Sequence, residues 1–492
     1  MYITKYFLEH KLPSGRLLLV NTLVGKINFV SKELVFSLNE LKDGNIANVP
    51  TEHILFLKQN GYAFESQTEE TLLLDKYSGE AWKENRKKPI VYACCLSYAC
   101  NLRCNYCYEE GLHDDSESMS LKDIDSMFSI IEHEQEKRGW IESKIILEGG
   151  EPFLLQNAEL LKAFFEKTAE HIDGMRKRGS TCKLMIFSNG VNTLAYLELL
   201  KKYKNYIDCI QITIAGNRDT HDIYRKKPEG GSSFDNAVET IDKLLTENFP
   251  VLAVLNIDRG NIQCLPDIQE LADEHEWTYD NKFKGMYVSR IKYLRKEDGN
   301  GLNEYELVQE IMEMYHKKLL RQNLLNFGDL RLLKNVINFC QSALNSGESI
   351  SYHQFQGCIA GKQHQFIFGS CGYVYPCTKV TGRAEYSMGT YRPVFEPDEE
   401  RLESWLCRNV LFIKKCEHCP VAFLCGGGCA YEAMEKNGSA YNPVCTETEK
   451  ILRMYLDSME EGMEFFLNDV VYENRPTFQQ DIKLFNLIQK EI

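Results

Sequence analysis

The stretch Cys100-Asn-Leu-Arg-Cys104-Asn-Tyr-Cys107 places three cysteines at the spacing C-x3-C-x2-C. It follows an apolar run, residues 91–96, that predicts a β-strand. Three thiolates this close can hold three irons of a [4Fe–4S] cluster, which leaves the fourth iron open for a small chelating ligand. A zinc site normally needs a fourth protein ligand nearby. Between Cys107 and Gly150 the only His or Cys residues are His113 and His133.

Composition and charge exclude several classes of protein. The chain has 492 residues, enough for two or three domains, and a net charge of −14 that argues against a nucleic-acid partner. No apolar run is long enough to span a membrane, and the first residues lack the pattern of a secretory signal. We therefore expect a cytoplasmic protein whose 18 cysteines are reduced thiols available to metal.

Residues 1–80 predict a small module without metal ligands. Two strands, 16–20 and 26–30, form a hairpin around Gly25, and helical patterns follow near 31–41 and from Thr51. A short strand at 62–64 completes a winged-helix-like unit. Residues 66–90 are polar and charged, which predicts a linker. In the domain division we assign residues 81–90 to this linker.

From residue 91 the chain alternates short apolar strands with amphipathic helices up to residue 291. Six such strands predict a parallel sheet covered by helices, and six are too few for a closed eight-stranded barrel. The sequence thus predicts an α/β fold with an open, partial (β/α)6 TIM-like barrel. A helical bridge over 292–357, a cysteine-rich region over 358–445 and a helical segment over 446–492 complete the domain prediction.

Several motifs together resemble the radical S-adenosylmethionine (SAM) enzymes. After the cysteine loop, with Tyr106 before its last cysteine, come Gly149-Gly150-Glu151-Pro152, Ser188-Asn189-Gly190 and the segment 211–216. Each motif follows one of the first four predicted strands, where the reacting groups of such a sheet are expected. The likeness covers roughly residues 90–445. The N-terminal unit resembles the peptide-recognition module that many peptide-modifying members of this family carry, and a capping subdomain is the alternative.

The resemblance implies roles for the motif residues. Cys100, Cys104 and Cys107 would hold the [4Fe–4S] cluster whose open iron takes the amino and carboxylate groups of SAM. Gly149 and Gly150 would allow a close backbone approach, and Glu151 would pair with the SAM amino group.

Four further residues would contact SAM by the same resemblance. Ser188 and Asn189 would hydrogen-bond the ribose or the methionyl end of SAM. Arg225 would pair with the SAM carboxylate, although a surface ion pair is the alternative. Tyr106 would lie against the adenine, with an ordinary core position as its alternative.

The C-terminal cysteines admit two interpretations. Cys416, Cys419, Cys425 and Cys429 alone could form a zinc knuckle. The whole set instead resembles the SPASM domain, which implies two auxiliary [4Fe–4S] clusters and three clusters in total. The first auxiliary cluster would use Cys358, Cys377 and Cys429, with Cys371, the substrate or nothing as its fourth ligand. The second would use Cys416, Cys419, Cys425 and Cys445.

The resemblance implies an oxidoreductase that cleaves SAM reductively to a 5′-deoxyadenosyl radical. The function we expect is maturation of a ribosomally made precursor peptide, with a leader and a Cys-containing core, by an oxidative crosslink such as a Cys thioether. A flavodoxin- or ferredoxin-type protein would donate electrons. The alternatives are a carbon–carbon or carbon–oxygen crosslink and sulfatase-type formylglycine maturation. Thr378 argues against the last, because those enzymes usually carry Asp there. A non-catalytic, metal-stapled peptide-binding protein is the rival from another class.

Overall fold

The computed structural model describes residues 1–113, 117–293, 299–321, 324–328, 330–344, 353–362, 364–392 and 394–461. Most of the helical segment expected over 446–492 lies outside these ranges, as do parts of the bridge expected over 292–357. Within the described residues, no helix combines the length and the apolar character needed to cross a bilayer.

The N-terminal region contains the hairpin and the two helices that the sequence predicts. Its elements are β1 Tyr2–Ile3, β2 Phe7–Lys11, β3 Leu17–Asn21, β4 Lys26–Val30, α1 Lys32–Lys42, α2 Thr51–Gln59, β5 Ala63–Phe64 and α3 Gln67–Asn85. Strands β2, β3 and β4 form an antiparallel sheet, and β5 pairs with β1. Ser31 caps α1 by accepting a hydrogen bond from the backbone N–H of Leu34.

The stretch predicted as a linker is largely helical, because α3 covers most of residues 66–90. This helix buries only Glu70 and Leu74, so its apolar face is too narrow to give a clear 3.6-residue period. Ser66 caps the helix through the backbone N–H of Glu69. The signal for helix was therefore a cap rather than a pattern of apolar residues.

The central region alternates strands and helices as expected. Its elements are β6 Ile90–Cys95, β7 Arg103–Cys104, α4 Leu121–Lys137, β8 Ser143–Glu148, α5 Ala158–Lys177, β9 Cys182–Ser188, α6 Leu197–Lys202, β10 Ile207–Ile214, α7 Arg218–Tyr224, β11 Arg225–Lys226, α8 Ser233–Thr246, β12 Val251–Ile257, α9 Leu265–Glu274 and β13 Phe283–Arg290. The strands β6, β8, β9, β10, β12 and β13 lie side by side in chain order and all pair in parallel.

The C-terminal region continues this sheet on both edges. Its elements are α10 Glu304–His316, β14 Leu325–Asn326, α11 Arg331–Leu344, β15 Gln365–Phe368, β16 Tyr373–Tyr375, β17 Gly389–Thr390, β18 Glu396–Pro397, α12 Glu399–Leu406, α13 Ala422–Cys425, α14 Ala430–Asn437 and α15 Thr448–Glu461. Strand β14 joins β13, and β15 joins β6 in parallel before β16, β17 and β18 continue antiparallel.

The described sheet therefore has eleven strands, and its largely parallel part extends beyond the six predicted. Because β15 pairs with β6 and β16 with β15, the cysteine-rich region adjoins the first parallel strand, and Cys377 packs against a cluster that contains Ala93, Cys95 and Tyr98. The cysteine-rich region and the cysteine loop are thus brought to the same part of the molecule.

Candidate active site

The predicted site residues meet in one cleft at the carboxyl ends of the parallel strands. The cysteine loop follows β6, Gly149 follows β8, and Ser188 ends β9. The cleft has a volume of about 1010 Å³, and its lining includes Cys100, Cys104, Tyr106, Cys107, Gly149, Gly150, Glu151, Ser188, Asn189 and Arg225. Every cysteine and SAM-contact residue predicted for the first half of the chain lies in this lining.

The cysteine loop is held by backbone pairing on one side. Cys104 lies in β7, which pairs antiparallel with β11 so that Cys104 stands opposite Arg225. The backbone N–H of Leu102 donates to Cys100 Sγ at 3.4 Å. Burial, followed by the nearby charge of Glu151, raises the pKa of Cys100 to about 12, so this thiol would need a metal to lose its proton at neutral pH.

Gly149 and Gly150 are required by the protein's own packing. Both have positive φ angles, +85° and +50°. A Cβ on Gly149 would lie 2.6 Å from Cys95 Sγ, and one on Gly150 would overlap the Ala99 carbonyl oxygen. The sequence prediction explained these glycines by the approach of a ligand, whereas the structure shows that the strand β6 and the loop after it already exclude a side chain.

Glu151, which follows β8, accepts hydrogen bonds from residues at the end of β9. Its Oε1 accepts hydrogen bonds from Ser188 Oγ at 2.8 Å and from the Phe153 N–H at 3.1 Å, and its Oε2 accepts from the Asn189 N–H at 2.7 Å. Burial raises the pKa of Glu151, and the hydrogen bonds from Asn189, Phe153 and Ser188 oppose that rise.

Asn189 connects Glu151 to the cysteine loop, because its Nδ2 donates to Asn101 Oδ1 at 2.7 Å. We call Gly149, Gly150, Glu151, Ser188 and Asn189 the glycine wall.

Tyr106 and Arg225 form a buried pair at the other end of the cleft. Arg225 donates to Tyr106 Oη at 2.8 Å, and Asn256 Nδ2 donates to the same oxygen at 3.3 Å. Arg225 is only 6 % exposed, and its Nε has no hydrogen-bond partner among the described residues. Burial lowers the pKa of the Arg225 guanidinium. The interactions with Tyr106, Cys104 and Cys100 raise it by more, so the pKa is raised overall.

The C-terminal cysteines fall into two groups. Cys358, Cys377 and Cys429 belong to one buried cluster, and burial, then Cys358 and Cys429, raise the pKa of Cys377 to about 12. Cys371 is instead exposed and lies beside Ser370, Tyr98 and Tyr375.

The second group contains Cys416, Cys419, Cys425 and Cys445. Burial, then Cys425, Cys419 and Cys445, raise the pKa of Cys416 to about 12. These are the two groups that the resemblance implies. Across the described ranges, no three His, Cys, Asp or Glu side chains are arranged to hold a single metal ion. A cubane cluster is larger than one ion, so the ligand sets remain predictions.

Sequence reasoning missed several residues of the cleft. Tyr108, Glu109, Glu148 and Asn256 line it from the region of the parallel strands, and Lys379 lines it from the cysteine-rich region. Glu109 Oε2 accepts a hydrogen bond from the Gly150 N–H at 2.8 Å. We call Tyr108, Glu148 and Lys379 the lysine wall. For Glu148 its place at the end of β8 was a usable signal, but nothing in the sequence singles out Lys379.

Comparison with known proteins agrees with this site. Residues 95–273 match the sequence profile of the Radical SAM superfamily, a range that includes the cysteine loop, the glycine wall and Arg225. The chain therefore contains a radical SAM domain.

Particular relatives are similar over different lengths. The sporulation killing factor maturation protein SkfB of Bacillus subtilis (strain 168) is 29 % identical over 183 residues, 37 % of this chain and only 39 % of SkfB. A cysteine-type anaerobic sulfatase-maturating enzyme of Clostridium novyi (strain NT) is 22 % identical over 384 residues, 70 % of this chain and 89 % of that enzyme. The solved structure of native anSMEcpe with bound AdoMet and Kp18Cys peptide superposes with a TM-score of 0.54 at 17 % identity, covering 82 % of this chain and 100 % of that one.

Proposed function

We propose that this protein is a peptide maturase that uses SAM to install an oxidative crosslink, a Cys thioether, in a ribosomally made precursor peptide. The observation that carries the proposal is the cleft itself, which three cysteines, the glycine wall, Arg225 and a residue of the cysteine-rich region line together. Its support from relatives is the maturation role in the name of SkfB and the peptide bound in the anSMEcpe structure.

The residues present fit SAM and a [4Fe–4S] cluster. Three thiols line one cleft, and the buried Arg225 Nε lacks a partner among the described residues, as expected for a group that awaits an anion. When bound, SAM at a reduced cluster supplies a radical that takes a hydrogen atom from the substrate. Cys100, Cys104 and Cys107 would hold that cluster, and Arg225 would bind the SAM carboxylate.

The chain's own residues then position the reacting groups. Glu151 ties β8 to β9, so its main role is to fix the glycine wall, with one lone pair of Oε2 left for the SAM amino group. Tyr106 fixes Arg225 through its hydroxyl and presents its ring to the cleft.

The two C-terminal cysteine groups would hold the auxiliary clusters. Forming a thioether from a thiol and a C–H bond removes two hydrogens, one as an atom and one as a proton plus an electron. Cys358, Cys377 and Cys429, which lie close to the cleft through Lys379, would hold the first of these clusters, and such a cluster would supply a redox centre able to accept an electron. A flavodoxin- or ferredoxin-type protein would serve as the external electron donor.

The test is an anoxic assay of the iron- and sulfide-reconstituted protein with SAM, a reductant and a Cys-bearing precursor peptide. We expect a peptide lighter by two hydrogens per crosslink, and we expect Cys104→Ala to abolish the product and the electron paramagnetic resonance shift on adding SAM. Cys407→Ala, an exposed cysteine outside both groups, is the matched control. SAM cleavage with an unchanged peptide mass would contradict the proposal.

A second candidate function is sulfatase-type maturation. The Clostridium novyi relative that matches 70 % of this chain carries that name, which favours the candidate. A Cys-containing sulfatase peptide in the same assay distinguishes the two, because formylglycine formation replaces sulfur by oxygen whereas a thioether keeps the sulfur. Thr378, a neutral residue beside Cys377, supports the crosslink because it cannot accept a proton as a carboxylate would.

A further inference from the structure

The lysine wall contains polar groups that the protein itself does not satisfy. Lys379 lies in a single helical turn, Thr378–Val380, directly after Cys377, and its side chain reaches the cleft. Its Nζ lies 4.7 Å from the centroid of the Tyr108 ring, which orients the ammonium group. Within the part of the chain that the structure describes, Lys379 forms no salt bridge.

Glu148 provides a second, independent sign of a missing ligand. Its side chain lines the same cleft and is 5 % exposed, yet its Oε1 has no hydrogen-bond partner among the described residues. A buried polar atom without a partner is destabilising, so a group that hydrogen-bonds to it in the cleft would be bound favourably.

The charge state of Glu148 makes it a hydrogen-bond donor. Burial and the nearby Glu109 raise its pKa to about 8, although Lys379 opposes the rise. At neutral pH the carboxyl is therefore mostly protonated and does not neutralise Lys379. An ammonium and a carboxylic acid O–H that line the same cleft and interact electrostatically match one chemical group, a carboxylate, which accepts a hydrogen bond from each.

We propose that Lys379 and Glu148 together bind a side-chain carboxylate of the peptide substrate, that of an Asp or Glu, close to the residue that is modified. This inference rests on the proposed function and specifies its substrate. The other carboxylate in the reaction belongs to SAM, and Arg225 is the better group for it. Arg225 interacts with Tyr106, Cys100 and Cys104, whereas Lys379 interacts with Tyr108 and Glu148.

The experiment measures binding to the SAM-loaded, reconstituted protein without turnover. The probes are two fluorescent pools of random Ala/Gly/Ser/Leu peptides with a central Cys, which differ only in carrying one Asp or one Asn. We expect the wild type to bind the Asp pool at least about tenfold more tightly, since a charge-assisted hydrogen bond is lost with Asn. Lys379→Gln should remove this preference. Lys379→Glu should instead prefer a third pool, in which one Lys replaces the Asp. Lys122→Gln, an exposed lysine on α4, should behave as the wild type.

A second arm uses pH. Ionisation of Glu148 should weaken Asp-pool binding as the pH rises above about 8, and Glu148→Gln, which keeps a donor, should retain the preference at pH 9. The charged and titratable groups that face Glu148 are Cys94 and Cys95 on β6, Tyr108 and Glu109 on the cysteine loop, and Lys379.

Two results would overturn the inference. One is equal binding of the Asp and Asn pools by the wild type, including no binding of either. The other is a Lys379→Gln protein that keeps the Asp preference but binds SAM more weakly, which would assign Lys379 to the SAM carboxylate. Because no turnover is needed, a failure of SAM cleavage would count against the proposed function and would leave the binding result intact.

Discussion

The glycine wall and the lysine wall line the same cleft, but they differ in whether their polar groups have hydrogen-bond partners within the protein. In the glycine wall both oxygens of Glu151 accept hydrogen bonds, and Ser188 and Asn189 are engaged with their neighbours. In the lysine wall Glu148 Oε1 has no partner among the described residues, and Lys379 lies over the Tyr108 ring without a salt bridge to any described residue.

This difference indicates that the glycine wall fixes the geometry of the cleft and that the lysine wall recognises a ligand. A closed hydrogen-bond network fixes the positions of its members and tolerates little change. Polar groups without a partner in the protein are available to bind a ligand, so changing them should alter ligand binding more than stability. The two walls can therefore be separated by substitutions that act on one and spare the other.

The largest effect is expected from Gly150→Ala. The new Cβ would overlap the Ala99 carbonyl oxygen and lie 2.7 Å from the Tyr98 carbonyl carbon, at a φ of +50°. Gly179→Ala is the matched control, because Gly179 also has a positive φ of +74° but open space around it. We expect the control to lose about 1–2 kcal/mol of unfolding free energy from backbone strain alone. Gly150→Ala should lose clearly more, together with SAM binding, as measured by urea denaturation and calorimetry. Equal losses would mean that the loop after β6 can move away.

The next effect is expected from Glu151→Gln. An amide would turn one hydrogen-bond acceptor into a donor that faces the donors of Ser188 or Asn189. A buried, unsatisfied group of this kind costs about 1–3 kcal/mol, so thermal denaturation should show a loss of that size. Glu159→Gln, an exposed carboxylate on α5, should stay within about 0.5 kcal/mol of the wild type. If Glu151→Gln lost SAM affinity with no loss of stability, Glu151 would belong to the ligand rather than to the wall.

The sequence was sufficient for the glycine wall and insufficient for the lysine wall, for a physical reason. The six parallel strands could be predicted because each is a short apolar run between amphipathic helices, and their carboxyl ends place the motifs together. Lys379 belongs to a region that joins the parallel sheet through the pairing of β15 with β6, a contact between segments far apart in the chain. Such a pairing leaves no local pattern.

Local reasoning also missed structural roles of the residues that it assigned to the ligand. It explained Gly149 by the ligand, whereas Cys95 already excludes a side chain there. It gave Glu151 to the SAM amino group and could not foresee the bonds to Ser188 and Asn189, because they join separate strands. The helix α3 escaped detection since it buries so few apolar residues.

A third effect is expected from Glu148→Gln, and it should appear in the pH profile of stability. The carboxyl has an ordinary pKa near 4.5 in the unfolded chain but about 8 when folded, because of burial and Glu109. The folded protein therefore binds more protons between these values, and its unfolding free energy falls as the pH rises from about 4.5 to about 8. The slope is at most about 1.4 kcal/mol per pH unit for one group.

Glu148→Gln should remove this part of the slope in denaturation curves taken from pH 6 to pH 9, and it should make the protein more stable than the wild type at the upper end. Its control is Glu159→Gln, which should leave the slope as it is, since that carboxylate is exposed. An unchanged slope in Glu148→Gln would mean that Glu148 is already ionised and paired in the folded protein. The lysine wall would then be as closed as the glycine wall, and the contrast between them would be lost.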